Sequence, residues 1–109
     1  MSPAYLIALP AYNEIQSIGG MINRIKAMNK PVVVIDNNSN DGTAEEAERL
    51  GVEVYQRDEY GSGYGCAIRK AMDVALEKGY EYLAFLDCDG TYPPEEFSLM
   101  EPFMESLQV

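Results

Sequence analysis

Hydrophobic residues along this chain alternate between short continuous runs and longer segments with helical spacing. The short runs are rich in β-branched and aromatic residues and predict strands at residues 5–9, 32–35, 52–55 and 82–86. Between them, apolar residues recur every three to four positions, as on one face of an amphipathic helix. In the first such segment they are Ile15, Ile18, Ile22, Ile25 and Met28. The predicted order is β-α-β-α-β-α-β-α within a single domain, residues 1–109.

Local signals predict where several helices begin and end. Asn13 is a suitable N-cap for the first helix, and Thr43 with Glu46 has the spacing of a capping box for the second. Gly51 is placed to end the second helix, because glycine readily adopts the left-handed conformation that follows a helix. A fourth helix is predicted to begin near Pro94.

Strands that are almost entirely apolar and alternate with helices favour an α/β fold. We predict a mainly parallel sheet of about four strands with helices on both faces. Ligands of such sheets bind beyond the carboxyl ends of the strands. Polar and glycine-rich residues follow every predicted strand, at residues 10–14, 36–42, 60–65 and 87–92. We therefore expect four loops to form one site at this edge.

The composition excludes several kinds of ligand and reaction at that site. The chain has 109 residues, with 18 acidic and 8 basic side chains, no histidine and a formal net charge of −10. The acidic balance argues against nucleic-acid binding, which needs clustered Lys and Arg. A phosphorylated ligand would need a cation to mediate its contact with so anionic a chain. The absence of histidine excludes histidine-based catalysis and the common zinc sites.

Asp87 and Asp89 are the sharpest candidate for metal binding. Side chains at positions i and i+2 of an extended backbone point to the same side, so these carboxylates repel each other unless a cation lies between them. Mg²⁺ or Mn²⁺ would take one or two carboxylates, substrate phosphates and waters. The alternative is a pair of solvated loop aspartates. We interpret Cys88 as a packing residue that faces away, because hard cations prefer oxygen.

The other loops carry candidates with two interpretations each. Asp36 could accept hydrogen bonds from a base or ribose, or could form a turn with the polar residues that follow it. Tyr12 could stack on a base, or could simply precede a helix. Residues 61–65 resemble a phosphate cradle or a flexible loop, and the flanking Arg57 and Arg69 could contact phosphate or water.

Four stretches, taken together and in this order, resemble the N-terminal half of a family 2 glycosyltransferase of the GT-A fold. They are residues 9–14 (LPAYNE), 34–43 (VIDNNSNDGT), 63–69 (GYGCAIR) and 85–94 (FLDCDGTYPP). The nearest type is dolichyl-phosphate mannose or glucose synthase and its bacterial and archaeal relatives. The resemblance implies a Rossmann-like nucleotide-diphospho-sugar transferase fold, a UDP- or GDP-sugar donor, and inverting transfer to a polyprenyl phosphate or a sugar acceptor.

The resemblance also implies roles for individual residues. Pro10, Tyr12 and Glu14 would line the nucleotide pocket. Asp36 would lie near the base and Arg69 near the nucleotide. The metal, Mg²⁺ or Mn²⁺, and the donor diphosphate would be held by Asp87 and Asp89.

The sequence departs from the family pattern at three points. Asn37 stands where a second acidic residue is usual, so it can accept a base N–H but carries no charge. Tyr64 stands where Lys is frequent, so one phosphate contact is expected to be missing. Family members continue through an acceptor-binding half that supplies the general base, and no catalytic residue is assigned here. We expect these 109 residues to bind the donor weakly and to transfer sugar poorly or not at all alone. Either they are a truncated or excised piece, or they assemble with themselves or with a partner. We expect homo-oligomers, because an open sheet edge and exposed apolar surface favour association.

The two cysteines make no disulfide framework, and neither a signal peptide nor a membrane helix is evident, so we expect a cytoplasmic domain for which peripheral membrane contact stays open. A second hypothesis is a non-catalytic nucleotide- or metal-binding remnant acting as an assembly or regulatory module. A third is a receiver-like domain with Asp36 as the phosphorylated residue, but it leaves the Asp87-Cys88-Asp89 triplet unexplained.

Overall fold

The computed structural model describes residues 5–56 and 64–88. Strands and helices alternate along the described chain, as the hydrophobic pattern predicts. They are β1 (Tyr5–Ala11), α1 (Ile15–Ala27), β2 (Val32–Asp36), α2 (Thr43–Arg49), β3 (Glu53–Gln56), α3 (Tyr64–Lys78) and β4 (Tyr82–Phe85). The helix predicted near Pro94 lies outside the described residues.

The four strands form one parallel sheet in the order β3-β2-β1-β4. This confirms the predicted parallel sheet. The chain builds outward from β1 to β2 and β3, then crosses through α3 to the other side of β1 and adds β4. The strand order therefore reverses between β1 and β4. In open α/β sheets, the crevice at the carboxyl ends of such strands is where ligands bind.

Two hydrophobic clusters, one on each face of the sheet, hold the helices in place. Alternate residues of β1 point to opposite faces. Ile7 and Leu9 pack with the buried face of α1, whereas Leu6 and Ala8 pack with α3. Of the predicted first-helix stripe, Ile18, Ile22 and Ile25 are buried, Met28 is half-buried, and Ile15 is exposed at the edge. Burial of β1 on both faces explains why its sequence is almost continuously apolar.

The predicted N-cap of the first helix is wrong. The N-cap position of α1 is Glu14, which makes no side-chain capping hydrogen bond. Asn13 instead adopts a left-handed backbone conformation (φ +52°), and its Oδ1 accepts a hydrogen bond from the backbone N–H of Asn40 at 3.0 Å. The Asn13 side chain therefore connects two loops instead of capping its own helix.

The predicted capping box of the second helix is also wrong. Thr43 is the first residue of α2, and the N-cap position is Gly42 with φ +96°. The Glu46 side chain pairs with Arg49 (Arg49 Nε to Glu46 Oε1, 2.6 Å) instead of reaching back to the helix start. The other end is confirmed: α2 ends at Arg49, and Gly51 follows with φ +85°, a conformation in which a Cβ would be strained.

Candidate functional site

The carboxyl ends of β1 and β2 lie side by side and carry two of the predicted site loops. Ala11, the last residue of β1, is in register with Asp36, the last residue of β2. The backbone N–H of Asn37 donates to the carbonyl of Ala11 at 2.9 Å and so extends the ladder by one residue. We call residues 12–14 the β1 loop and residues 37–42 the β2 loop.

Asn13 and Ser39 join the two loops at their centres. The backbone N–H of Asn13 donates to Ser39 Oγ at 2.8 Å, while Asn13 Oδ1 accepts from the N–H of Asn40. These bonds join positions more than twenty residues apart in sequence. The β1 loop is therefore held by the β2 loop as well as by its own flanking elements.

A second set of contacts ties the start of α1 to the start of α2. The N–H of Glu14 donates to Thr43 Oγ1 at 2.9 Å, and the N–H of Ile15 donates to Asp41 Oδ2 at 3.2 Å. The first N–H groups of a helix have no partner within the helix, so these side chains supply what a local cap would otherwise give. Asp41 Oδ1 also accepts from the backbone N–H and the hydroxyl of Thr43.

The pKa of Asp41 reflects these contacts. The hydrogen bond from the Thr43 hydroxyl holds the pKa of the Asp41 carboxyl below its ordinary value of 3.8, and the backbone N–H groups of Ile15 and Thr43 act in the same direction. Hydrogen bonds to the ionised form stabilise it. Asp41 therefore carries a negative charge whose geometry is fixed beside the predicted site.

Asp36 is buried at the end of β2, with only 1% of its surface exposed. Its Oδ2 accepts from the N–H of Ser39 at 3.0 Å and from Nε2 of Gln56 at 2.9 Å, and its Oδ1 accepts from Ser39 Oγ at 2.6 Å. These are the contacts of a turn-forming aspartate, one of the two interpretations that the sequence allows. Contact of Asp36 with a base stays a prediction.

Asn37 contains an unusual polar atom. Its Oδ1 is buried, and none of the described residues donates a hydrogen bond to it. Buried acceptors without a donor are rare and destabilising in folded proteins. This oxygen lies one position beyond Asp36, at the edge where the sequence predicts a base.

The predicted donor-site residues, apart from Asp89, lie in the described part of the chain. Those of β1, β2 and their loops are brought together at one edge: Pro10, Tyr12, Glu14, Asp36 and Asn37. Tyr12 is 56% exposed, an unusual position for a large aromatic side chain. Arg69 is exposed in the second turn of α3, the helix that packs on the other face of the sheet, and its role near the nucleotide stays a prediction.

Asp87 follows β4 and is exposed, whereas Cys88 is buried in the cluster that includes the buried residues of α1. The interpretation of Cys88 as a packing residue is therefore confirmed. Asp89 lies outside the described residues, so its pairing with Asp87 stays a prediction. Within residues 5–56 and 64–88, no three His, Cys, Asp or Glu side chains are grouped in a way that could hold a metal ion.

Ser39, Asp41 and Thr43 are missing from the candidates that the sequence suggests. The density of Ser, Thr, Asn and Asp in residues 36–43 is visible in the sequence, but it indicates turns and local caps. Their partners in the β1 loop and at the start of α1 are 26 to 29 positions away. Spacing rules that act over three or four residues do not reveal such contacts.

Comparison with known proteins identifies the family. Residues 6–109 match the sequence profile of Glycosyl transferase family 2. The chain belongs to this family. It is 36% identical over 104 residues to Glycosyltransferase AglJ of Haloferax volcanii, covering 94% of this chain and 33% of that protein. It is 32% identical over 101 residues to the polyprenol monophosphomannose synthase of Mycolicibacterium smegmatis, covering 85% and 38%. The chain thus spans well under half the length of these relatives.

Solved structures confirm the predicted fold. The mannosyl-3-phosphoglycerate synthase from Rubrobacter xylanophilus superimposes with a TM-score of 0.80 at 28% identity, over 96% of this chain and 37% of that one. The glucosyl-3-phosphoglycerate synthase from Mycobacterium tuberculosis, solved with Mn²⁺, UDP and glucosyl-3-phosphoglycerate, gives 0.75 at 23% identity, over 93% and 39%. The four-stranded sheet is therefore part of the Rossmann-like GT-A fold. None of the helices in the described ranges has the length and hydrophobicity needed to cross a bilayer.

Proposed function

We propose that this chain binds a nucleotide-diphosphate sugar, a UDP- or GDP-sugar, as the donor half of an inverting glycosyltransferase. The observation that supports this most directly is the pairing of the β1 and β2 loops beside the strand-order reversal. There an exposed Tyr12 comes directly after Ala11, which is in register with the buried Asp36. An exposed aromatic ring and a buried acceptor provide a stacking surface and a hydrogen-bonding group for a base.

The acceptor atoms at this edge favour a base that offers an N–H group. Each carboxylate oxygen accepts about two hydrogen bonds, and Asp36 Oδ1 receives one from Ser39. Asn37 Oδ1 receives none from the described residues. Uracil and guanine both present a ring N–H, so either base provides the donor that these oxygens lack.

The metal is proposed to be held by Asp87 and Asp89. The exposed Asp87 carboxylate is a hard oxygen ligand of the kind that Mg²⁺ and Mn²⁺ prefer, and the burial of Cys88 keeps its thiol away. When bound, the cation would neutralise the departing nucleoside diphosphate. A cation is also what a chain of net charge −10 needs in order to hold a pyrophosphate.

The acceptor is proposed to be a polyprenyl phosphate. Relatives of similar sequence are named polyprenol monophosphomannose synthase and undecaprenyl-phosphate mannosyltransferase. A phosphate acceptor is already anionic at neutral pH and needs no general base to activate it. Contact with such a lipid would bring the protein to the cytoplasmic face of a membrane. That location and the expected homo-oligomer stay predictions.

A ligand screen tests the proposal. Unfolding temperature is measured with UDP-glucose and with GDP-mannose, each with and without Mn²⁺. We expect one donor to raise it only when Mn²⁺ is present, since a ligand that binds the folded state stabilises it by mass action. The variants Asp87→Asn and Asp89→Asn should lose the metal-dependent rise. The control Glu77→Gln, which removes an exposed carboxylate from α3, should keep it.

Two results would overturn parts of this proposal. If neither donor changes the unfolding temperature with or without Mn²⁺, donor binding is wrong. If these 109 residues alone transfer sugar efficiently to undecaprenyl phosphate in a radiolabel assay, the expected need for an acceptor-binding half is wrong. Donor binding without transfer is expected both of a donor half alone and of a non-catalytic binding module.

A further inference from the structure

One serine hydroxyl connects the two loops of the proposed base site. Ser39 Oγ donates its single hydrogen to Asp36 Oδ1 at 2.6 Å and accepts the backbone N–H of Asn13 at 2.8 Å. The N–H of Ser39 also donates to Asp36 Oδ2 at 3.0 Å. A single side chain thus links the buried carboxylate at the end of β2 to the residue that follows Tyr12.

Two residues of the linked loops have backbone conformations that they would not readily adopt without the surrounding contacts. Asn13 and Asn38 both have left-handed φ values, +52° and +55°. Such conformations cost of order 1 kcal/mol or more for residues other than glycine, and they persist where surrounding contacts determine them. At Asn13, those contacts are the bonds to Ser39 and Asn40. Losing the Ser39 hydroxyl would remove one of these two restraints.

Gln56, at the end of β3, anchors the same network from the other side. Its Nε2 donates to Asp36 Oδ2 at 2.9 Å, and its Oε1 accepts the N–H of Asn38 at 3.3 Å. The carboxylate and the β2 loop are therefore fixed to β3, and Ser39 passes that restraint to the β1 loop. The network spans the carboxyl ends of three adjacent strands.

We propose that Ser39 is a positioning residue that makes Tyr12 and Asp36 one preorganised base-binding unit, an inference that rests on the function proposed above. Ser39 acts through Asn13 and Asp36, not by touching the nucleotide. Fixing a binding loop in its bound geometry before the ligand arrives raises affinity, because the ordering cost is no longer paid on binding. We expect Ser39→Ala to weaken nucleotide binding about tenfold.

The test is a double-variant cycle on UDP and GDP affinity, measured by calorimetry with Mn²⁺. If Ser39 acts by positioning Tyr12, Ser39→Ala weakens binding in the unaltered chain but has little further effect in a Tyr12→Ala background. Ser39→Thr keeps a hydroxyl and should restore most of the affinity. The control Ser17→Ala makes the same change in the first turn of α1, and none of the hydrogen bonds described above involves its hydroxyl.

Amide hydrogen exchange provides a readout that does not depend on the nucleotide. The Asn13 N–H should exchange faster in Ser39→Ala than in the unaltered protein, with Ser39→Thr and Ser17→Ala close to the unaltered rate. Equal affinity of the unaltered protein and Ser39→Ala would overturn this inference and leave the proposed function standing. Additive effects of the Ser39 and Tyr12 variants would also overturn it. Failure of the unaltered protein to bind either nucleotide would overturn both.

Discussion

The Oγ1 atom of Thr43 accepts a hydrogen bond from the backbone N–H of Glu14 at 2.9 Å, so the first residue of α2 caps the beginning of α1. The α1 start has no side-chain cap of its own. Two helices that follow different strands are therefore joined at the edge of the sheet where the site is proposed. Disturbing the start of one helix should disturb the start of the other.

Replacing the Thr43 hydroxyl tests this link. Thr43 is fully buried, and Thr43→Val keeps its shape while removing the acceptor for Glu14 and a donor to Asp41. We expect the free energy of unfolding to fall by about 1–3 kcal/mol, because the partly buried N–H of Glu14 loses its partner. Urea unfolding measures the change. Thr43→Ser, which retains the hydroxyl, should lose less than the valine variant, and equal losses would contradict the hydrogen-bond explanation.

The Asp41 carboxylate predicts a pH dependence of stability. Its pKa in the folded protein is lowered, first by the Thr43 hydroxyl. A lowered folded-state pKa means that the stabilisation is present above the unfolded-state pKa and is lost as pH falls through the folded value. Asp41→Asn should therefore lower the urea midpoint at pH 7, and the difference from the unaltered protein should shrink below pH 3.8.

Glu77→Gln serves as the control for the Asp41 experiment. It removes one exposed carboxylate from α3, away from the paired loops. We expect its urea midpoint to stay close to that of the unaltered protein at pH 7. An Asp41→Asn variant whose deficit persisted unchanged at acid pH would show that the charge of Asp41 is not the cause.

The sheet was predictable because the hydrophobic pattern that specifies it lies in consecutive residues. Apolar runs separated by helical stripes specify parallel strands covered on both faces, and the structure has that arrangement. Helix ends governed by backbone conformation were also predictable, as at Gly51. At the start of α1 the same local reasoning failed. The side chain of Asn13 bonds Asn40, and the cap comes from Thr43, far along the chain.

The candidate site was only partly predictable for the same reason. The sequence places Asp36 at the end of a strand and leaves two interpretations open. The contact from Ser39, three residues away, belongs to an ordinary turn, whereas the contact from Gln56 depends on β3 lying beside β2. Pairing of Asp87 with Asp89 was predicted from the geometry of an extended backbone, but β4 ends at Phe85 and Asp89 lies outside the described residues. That pairing therefore rests on the sequence and the family.

Ile22 and Leu76 should respond very differently to truncation, since they differ in burial. Ile22 is fully buried against the sheet, while Leu76 on α3 is 65% exposed. Ile22→Ala should lower the free energy of unfolding by about 2–5 kcal/mol, through lost hydrophobic burial and the cavity left behind. Leu76→Ala should change it by less than about 0.5 kcal/mol. Urea unfolding of both variants checks the contrast, and a large loss at Leu76 would show that this side chain is covered in solution.

Asn37→Asp would place a carboxylate at a buried position. None of the described residues donates a hydrogen bond to Asn37 Oδ1 there. Burial without a compensating donor raises the pKa of a carboxyl above its unfolded value of about 3.9. The folded variant then binds its proton more tightly than the unfolded chain. The stability of the variant should match that of the unaltered protein below about pH 3.9 and should fall as pH rises through the folded-state pKa.

The measurement is the urea midpoint of Asn37→Asp and of the unaltered protein between pH 3 and pH 8. The difference between the two midpoints should widen with rising pH, because the ionised carboxylate at position 37 destabilises the variant, whereas the ionised Asp41 stabilises the unaltered protein. Asn23→Asp, the same change on the exposed side of α1, is the matched control and should show no such widening. If the Asn37 variant is as stable as the unaltered protein at pH 8, the oxygen has a donor in solution. The family's usual acidic residue would then fit at this position without a cation or a base beside it.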